Sequence, residues 1–242
     1  CLRDPQSRGS IGKSMAMKKA LIWISVGLNI LVIAVLILAV SGSFLSVAAP
    51  LFRDKVNSKY DRWVSQFDEL SVQQDDVVFL GDSITRGGSW DELFPQSPIR
   101  NRGIGGDTTS GVLARLHQVT SGKPSQVFLL IGTNDITFGE SDETIVSNIS
   151  TIVDRIERES PETQVYVQSV LPRAVDYRER IEALNVQIRE AVVDRAEWID
   201  LYPLLLDEDG SISAEYSNDD LHLYSAGYTV WVEAIYEQVK VR

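Results

Sequence analysis

From Val77 onward the chain alternates short continuous apolar runs with longer stretches in which apolar residues recur every three or four positions. Residues 77–80, 127–131, 165–170 and 198–201 are runs of the first kind and predict buried strands, with a weaker one at 98–102. Val112, Leu113 and Leu116, then Ile145, Ile149, Ile152 and Ile156, then Ile181, Leu184, Ile188 and Val192 predict helices with one apolar face. A last helix is predicted after Ser225, a candidate N-cap, with Tyr228, Val232, Ile235 and Val239 on its inner face. Alternation of this kind implies an α/β fold, a parallel sheet covered by helices on both faces.

The N-terminal part follows another pattern. Residues 20–40 form an apolar run interrupted only by Ser25, Gly27 and Asn29, long enough at about 1.5 Å per residue to cross a bilayer core of about 30 Å. Lys18 and Lys19 precede it, and positive charge on that flank favours a cytoplasmic N-terminus. The expected organisation is a cytoplasmic segment at 1–19, a transmembrane signal-anchor helix at 20–41, a linker at 42–75 and the α/β domain at 76–242, outside the cytoplasm. Ser46-Val47-Ala48 is the alternative, a signal-peptidase site whose cleavage would leave a secreted or periplasmic protein. Within the linker, Tyr60, Trp63, Val64, Phe67 and Leu70 stand at helical spacing and predict a short amphipathic helix that packs on the domain.

Charge divides at the same place. Residues 1–55 carry seven Lys and Arg against two acidic residues, net +5, and residues 56–242 carry sixteen against thirty-two, net −16. A domain this acidic is poorly suited to nucleic acid or anionic lipid headgroups, so no nucleic-acid partner is expected. Cys1 is the only cysteine, so these 242 residues can form no internal disulfide.

Candidate chemistry gathers around the first strand. Its run ends at Gly81, read as a tight turn, and Ser83 follows where strand gives way to helix. In open α/β sheets ligands bind beyond the carboxyl ends of the strands, so a hydroxyl there faces a crevice. A serine nucleophile needs a base and an orienting group, and the chain holds only two histidines, His117 and His222. His222 follows Asp219 by three residues in a polar turn, a spacing at which the carboxylate can hold Nδ1 and aim Nε2 outward. His117 lies in a helical stretch and reads as a surface side chain.

Gly81-Asp82-Ser83-Ile84, Gly103-Ile104-Gly105-Gly106-Asp107-Thr108-Thr109, Gly132-Thr133-Asn134-Asp135 and Asp219-Asp220-Leu221-His222 resemble, in order, the four blocks of the SGNH (GDSL-type) hydrolases. The second block, Leu171-Pro172-Arg173 and Leu221-His222-Leu223 look most like the platelet-activating factor acetylhydrolase catalytic subunits of that family. The resemblance implies a flavodoxin-like three-layer α/β/α sandwich on five parallel strands. It implies Ser83 as nucleophile, His222 as base, Asp219 as orienting acid, and an oxyanion hole from the backbone N–H groups of Ser83 and Gly106 and the Asn134 amide. No metal or organic cofactor is implied, because water completes the cycle. Family members cleave acetyl groups from sugars and phospholipids, longer acyl chains from lysophospholipids, and thioesters. The expected activity is therefore a serine esterase acting on short acyl or acetyl esters of glycans or lipids, with lysophospholipase, thioesterase, acyltransferase and non-catalytic binding module as alternatives. Homodimerisation is left open.

Each of these residues also has a simpler reading. Ser83 could be a helix N-cap. Gly106 could be a turn glycine, as could its neighbours Gly103 and Gly105; Asn134 could cap a helix or bind its own loop backbone; Asp82 and Asp135 could brace loops, and Asp220 is a rival to Asp219. Arg173 is expected to pair with a surface carboxylate, though it could meet an anionic substrate. The Asn148-Ile149-Ser150 sequon falls in a predicted helix and is read as incidental. Arg86-Gly87-Gly88 departs from the commonest family pattern at a point where the entrance is expected.

Overall fold

A computed structural model describes residues 59–239; the expected cytoplasmic segment, membrane anchor and cleavage site lie outside the described residues. Among the described residues no helix is long and apolar enough to cross a membrane. Strands β1 (Val77–Gly81), β2 (Ile99–Gly103), β3 (Gln126–Leu130), β4 (Gln164–Gln168) and β5 (Glu197–Ile199) form one sheet in the order β2-β1-β3-β4-β5. Every pairing is parallel, with Val77 beside Ile99 on one side and Gln126 on the other. This is the doubly wound order whose crevice lies where the chain leaves β1 and β3 in opposite directions.

Two apolar layers sandwich the sheet because successive strand side chains alternate sides. Val78 and Leu80 pack with Val127, Leu129, Val165 and Val167 under the helices α4 (Thr109–Arg115), α5 (His117–Thr120), α7 (Asp142–Glu159) and α8 (Arg178–Val192). Val77 and Phe79 pack on the opposite face, with Phe128 and Tyr166, under α2 (Ser83–Gly87), α3 (Trp90–Leu93) and α9 (Ser225–Ile235). Phe79 stacks on Trp90 at 4.1 Å and on Phe128 at 5.1 Å, so the second layer is built largely of rings.

The apolar patterns locate these elements, with the last strand ending at Ile199 rather than at 201 and with three further differences. The run at 165–170 is cut short at Gln168 because the Asn185 side chain takes the backbone of Val170, accepting from its N–H at 2.8 Å and donating to its carbonyl at 2.9 Å. Ser225 is not a cap: it is the first residue of α9, preceded by Tyr224, which makes no side-chain cap bond. The inner face of that helix is centred on Trp231, fully buried beside Ile235, and the Trp231 indole donates to Gln168 at 2.6 Å. A large side chain with a polar tip and a buried partner outcompetes the smaller Val232 for the inner position.

The helix over residues 59–69, α1, packs on the domain through the predicted stripe. Phe67 is buried, Tyr60 donates to the carbonyl of Gly111 at 3.3 Å, and the Gln118 amide donates to the carbonyl of Val64 at 3.0 Å. Leu70 is the exception, 51% exposed beyond the helix end.

Candidate active site

Ser83 is the first residue of α2, separated from the buried end of β1 at Gly81 by Asp82 alone. The N-cap is Asp82, whose Oδ1 accepts from the N–H of Ile84 at 2.9 Å. The capping role once open to Ser83 is thus taken by its neighbour, and the Ser83 hydroxyl remains available. As a first-turn residue, Ser83 also carries a backbone N–H with no partner inside its helix. Gly81 is required by close approach rather than by a turn conformation: a Cβ there would stand 2.2 Å from the Leu130 carbonyl oxygen.

A chain of hydrogen bonds starts at this hydroxyl. Ser83 Oγ lies 2.9 Å from His222 Nε2, and His222 Nδ1 lies 2.7 Å from Asp219 Oδ2. The second carboxylate oxygen of Asp219 accepts from the backbone N–H of His222 at 2.7 Å and of Leu221 at 3.2 Å, so one short turn fixes both partners. Burial works against ionisation of Asp219, but the hydrogen bonds from the His222 ring and backbone more than offset it and hold the carboxyl below its usual range. Asp220 takes a left-handed conformation, φ 58°, at the tip of the turn. Ser217, which is buried, supports the turn from beneath: its Oγ donates to Asp219 at 3.3 Å and accepts from the N–H of Leu221 at 3.2 Å.

Across the crevice, Gly106 follows β2 in a left-handed conformation, φ 79°, which turns the chain toward α4. Asn134 is the second residue of α6 (Thr133–Phe138), and one of its amide hydrogens goes to the Asp107 carbonyl at 2.8 Å. The β2 and β3 loops are thereby tied together, and the second amide hydrogen of Asn134 remains for a ligand.

Under these loops lies a buried charge cluster. Arg115 and Asp107, each 1% exposed, pair at 2.7 Å. Arg115 also donates to the carbonyls of Gly81 at 3.1 Å and Arg102 at 2.9 Å, stapling the ends of β1 and β2 to the Gly106-Asp107 loop. Asp135 accepts from the N–H and hydroxyl of Thr109, so it braces α4. Burial pushes the Asp82 carboxyl up to about 7, against the pull of the Ile84 N–H, and the charges of Asp107 and Asp135 add to the rise.

Other sequence candidates lie outside this arrangement. His117 is exposed, 3.3 Å from Asp68. Asn148 donates from its amide to Thr109 and Ser110, at 2.9 and 3.0 Å. Arg173 differs from expectation: it pairs with no carboxylate among the described residues. Its Nη1 donates to Thr137 Oγ1 of α6 at 2.9 Å and it stacks on the Tyr177 ring at 4.0 Å, so a helix hydroxyl and a ring hold it without any acid. Sequence reasoning passed over Arg115 and Ser217. Arg115 had a signal, since 112, 115, 116 and 119 share one helical face and a cation among apolar neighbours there must be buried and paired.

Residues 79–230 match the model of the GDSL-like Lipase/Acylhydrolase family. Platelet-activating factor acetylhydrolase IB subunit alpha1 of Homo sapiens is 33% identical over 190 residues, covering 72% of this chain and 81% of that protein. Among solved structures, one from Streptococcus pneumonia described by the words platelet activating factor superposes with a TM-score of 0.74 at 27% identity, over 81% of this chain and 99% of that one. A GDSL-like lipase from Bacteroides thetaiotaomicron, at 24% identity, shares the fold with a TM-score of 0.65 over 74% of this chain and 96% of that one.

Proposed function

Because the chain belongs to the GDSL-like lipase/acylhydrolase family and is thus an enzyme acting on ester bonds, we propose that it is a serine esterase that removes short acyl groups, acetyl foremost, from glycans or lipids. The observation that carries the reading is the unbroken relay from Ser83 Oγ through His222 to Asp219 at 2.9 and 2.7 Å, at the carboxyl edge of a parallel sheet.

In this mechanism Ser83 Oγ attacks the ester carbonyl while His222 Nε2 takes its proton. Asp219 holds the opposite ring nitrogen and stabilises the imidazolium that forms. The carbonyl oxygen becomes an oxyanion facing the N–H groups of Ser83 and Gly106 and the free amide hydrogen of Asn134; one such donor is typically worth 10² to 10³ in rate. His222 then gives its proton to the departing alcohol. Water, deprotonated by the same imidazole, attacks the acyl-serine and releases the carboxylic acid. The preference for acetyl is supported by the acetylhydrolase relative.

The reading includes a location. An anchor at residues 20–41 tethers the domain outside the cytoplasm, where acylated glycans and lipids of the envelope are within reach and coenzyme A esters are scarce. Recovery of the full chain in the soluble fraction, without detergent, would refute the anchor.

The activity is tested by hydrolysis of p-nitrophenyl acetate, butyrate and octanoate by the full chain in detergent, beside Ser83→Ala. Turnover greatest on acetate, reduced in the variant by a factor on the order of 10⁶, is expected. Turnover that survives the substitution would remove Ser83 as nucleophile, and octanoate as the best substrate would remove the short-acyl preference.

A further inference from the structure

We propose that Arg86 is a specificity residue of this site, selecting esters that carry an anionic group, phosphate or carboxylate, close to the scissile bond. The inference rests on the esterase reading and adds the substrate's charge to it.

Arg86 lies three residues after Ser83 on α2, one helical turn on, so the two side chains share a face. Long helical side chains lean toward the N-terminus, which carries this guanidinium back toward the nucleophile rather than off the helix end. Gly105 shows where it arrives. A Cβ on Gly105 would stand 3.7 Å from Arg86 Nη1 and 3.9 Å from Ser83 Cβ, so the cation and the nucleophile border the same small gap above a residue without a side chain.

What holds Arg86 there leaves its charge unspent. The guanidinium carbon sits 4.4 Å over the Trp63 ring, contributed by α1. Stacking occupies the face of the guanidinium and leaves its in-plane N–H donors pointing outward, in the fork that fits a carboxylate or phosphate. The domain has an excess of carboxylates, yet among the described residues none pairs with Arg86, whereas Arg100, Arg155, Arg178, Arg180 and Arg195 each have an acidic partner. Arg86 is exposed, so keeping it unpaired costs little until an anion arrives. Arg173, which follows β4, has already committed a donor to Thr137 and its face to the Tyr177 ring, and reads as a brace.

The test uses three acetyl esters on one skeleton with the full chain in detergent: 1-acetylglycerol, 3-O-acetylglycerate and 1-acetylglycerol 3-phosphate, with p-nitrophenyl acetate as the check on the esterase reading. The readout is the ratio of kcat/KM for each anionic ester to that for the neutral one. A charge-assisted contact predicts a ratio of about tenfold or more, which shrinks at high salt and falls by a similar factor in Arg86→Gln, mostly through KM. Arg86→Lys should recover part of it. Gly105→Ala, which fills the gap with a methyl group, should lower the ratio as well. The ester with the larger ratio identifies the anion, a lipid-type phosphate or a glycan-type carboxylate. Ratios near one in the wild type, or unchanged in Arg86→Gln while p-nitrophenyl acetate is still turned over, overturn the proposal. No turnover of any ester removes the esterase reading and this one with it.

Discussion

The two sides of the crevice place their charges in opposite surroundings. Asp219 and His222 each have side chains 47% exposed and are held by hydrogen bonds within one short turn. Asp107 and Arg115, across the crevice, are 1% exposed and fix three backbone segments at once. Exposed groups are inexpensive to keep charged and can exchange protons with substrate and water, as a base must. Buried groups are costly to charge, but once paired they hold backbone donors in place without moving. In the proposed mechanism proton transfer therefore falls to the exposed side and geometry to the buried side.

The largest expected effects separate these assignments. Ser83→Ala should lose activity on the order of 10⁶-fold while its melting temperature stays within a degree or two of wild type, because it deletes one partly exposed hydroxyl. Arg115→Met should do the reverse. It leaves Asp107 buried and unpaired, at a cost of about 3–5 kcal/mol, or roughly 10 °C in melting temperature for a domain of this size. Removing the stranded charge with Arg115→Met/Asp107→Asn should recover much of that loss, with kcat still lowered because the staple between Gly81, Arg102 and Asp107 is gone. If the double variant were no more stable than the single one, the charge pair would not be what Arg115 contributes.

Asp82 gives the comparison a pH axis. Its carboxyl titrates near 7 in the fold and near 4 unfolded, so between those values the native state binds the extra proton. Stability therefore falls as pH rises from about 4 to 7 and levels off above. Asp82→Asn keeps an oxygen for the Ile84 N–H and cannot ionise, so denaturant unfolding should show the variant gaining on wild type by a few kcal/mol between pH 5 and pH 8, about 1.4 per pH unit. Asp107 and Asp135, also raised by burial, push in the same direction and remain in the variant, so the slope should shrink rather than vanish. Equal slopes in the two proteins would show that Asp82 is ionised throughout.

How far this architecture can be read from the chain depends on what each signal measures. Central strands are buried on both faces, so residues 77–80 and 127–131 stand out as continuous apolar runs, and the sheet follows from them. The relay was equally legible, since two histidines leave few choices and Asp219 sits one turn before His222. Features that depend on which distant partner a side chain reaches were not legible. Asn185 taking the backbone of Val170, Trp231 taking the Gln168 side chain and buried Arg115 taking the carbonyls of two strand ends all join positions with no periodic relation in sequence. Gly103 shows the same limit: read as a turn residue, it is instead a point of close approach, where a Cβ would meet the backbone nitrogen of Arg86 at 2.3 Å.

Ser217 is where the two kinds of surroundings meet, a buried hydroxyl beneath the exposed turn. Its Oγ contacts Asp219 and the N–H of Leu221, so it sets the height of the carboxylate under the imidazole. Ser217→Ala removes those bonds but not the direct ones from Asp219 to the His222 ring and backbone. At about 0.5–1.5 kcal/mol for a hydrogen bond, kcat should fall about two- to tenfold, with KM little changed and the melting temperature lower by a few degrees. An unchanged kcat with the same thermal loss would mean that Asp219 and His222 hold their own geometry, which would make the exposed side of the crevice independent of anything buried. A fall in kcat without thermal loss would mean that the hydroxyl acts on the carboxylate itself, and that the division between a chemical side and a structural side fails at this residue.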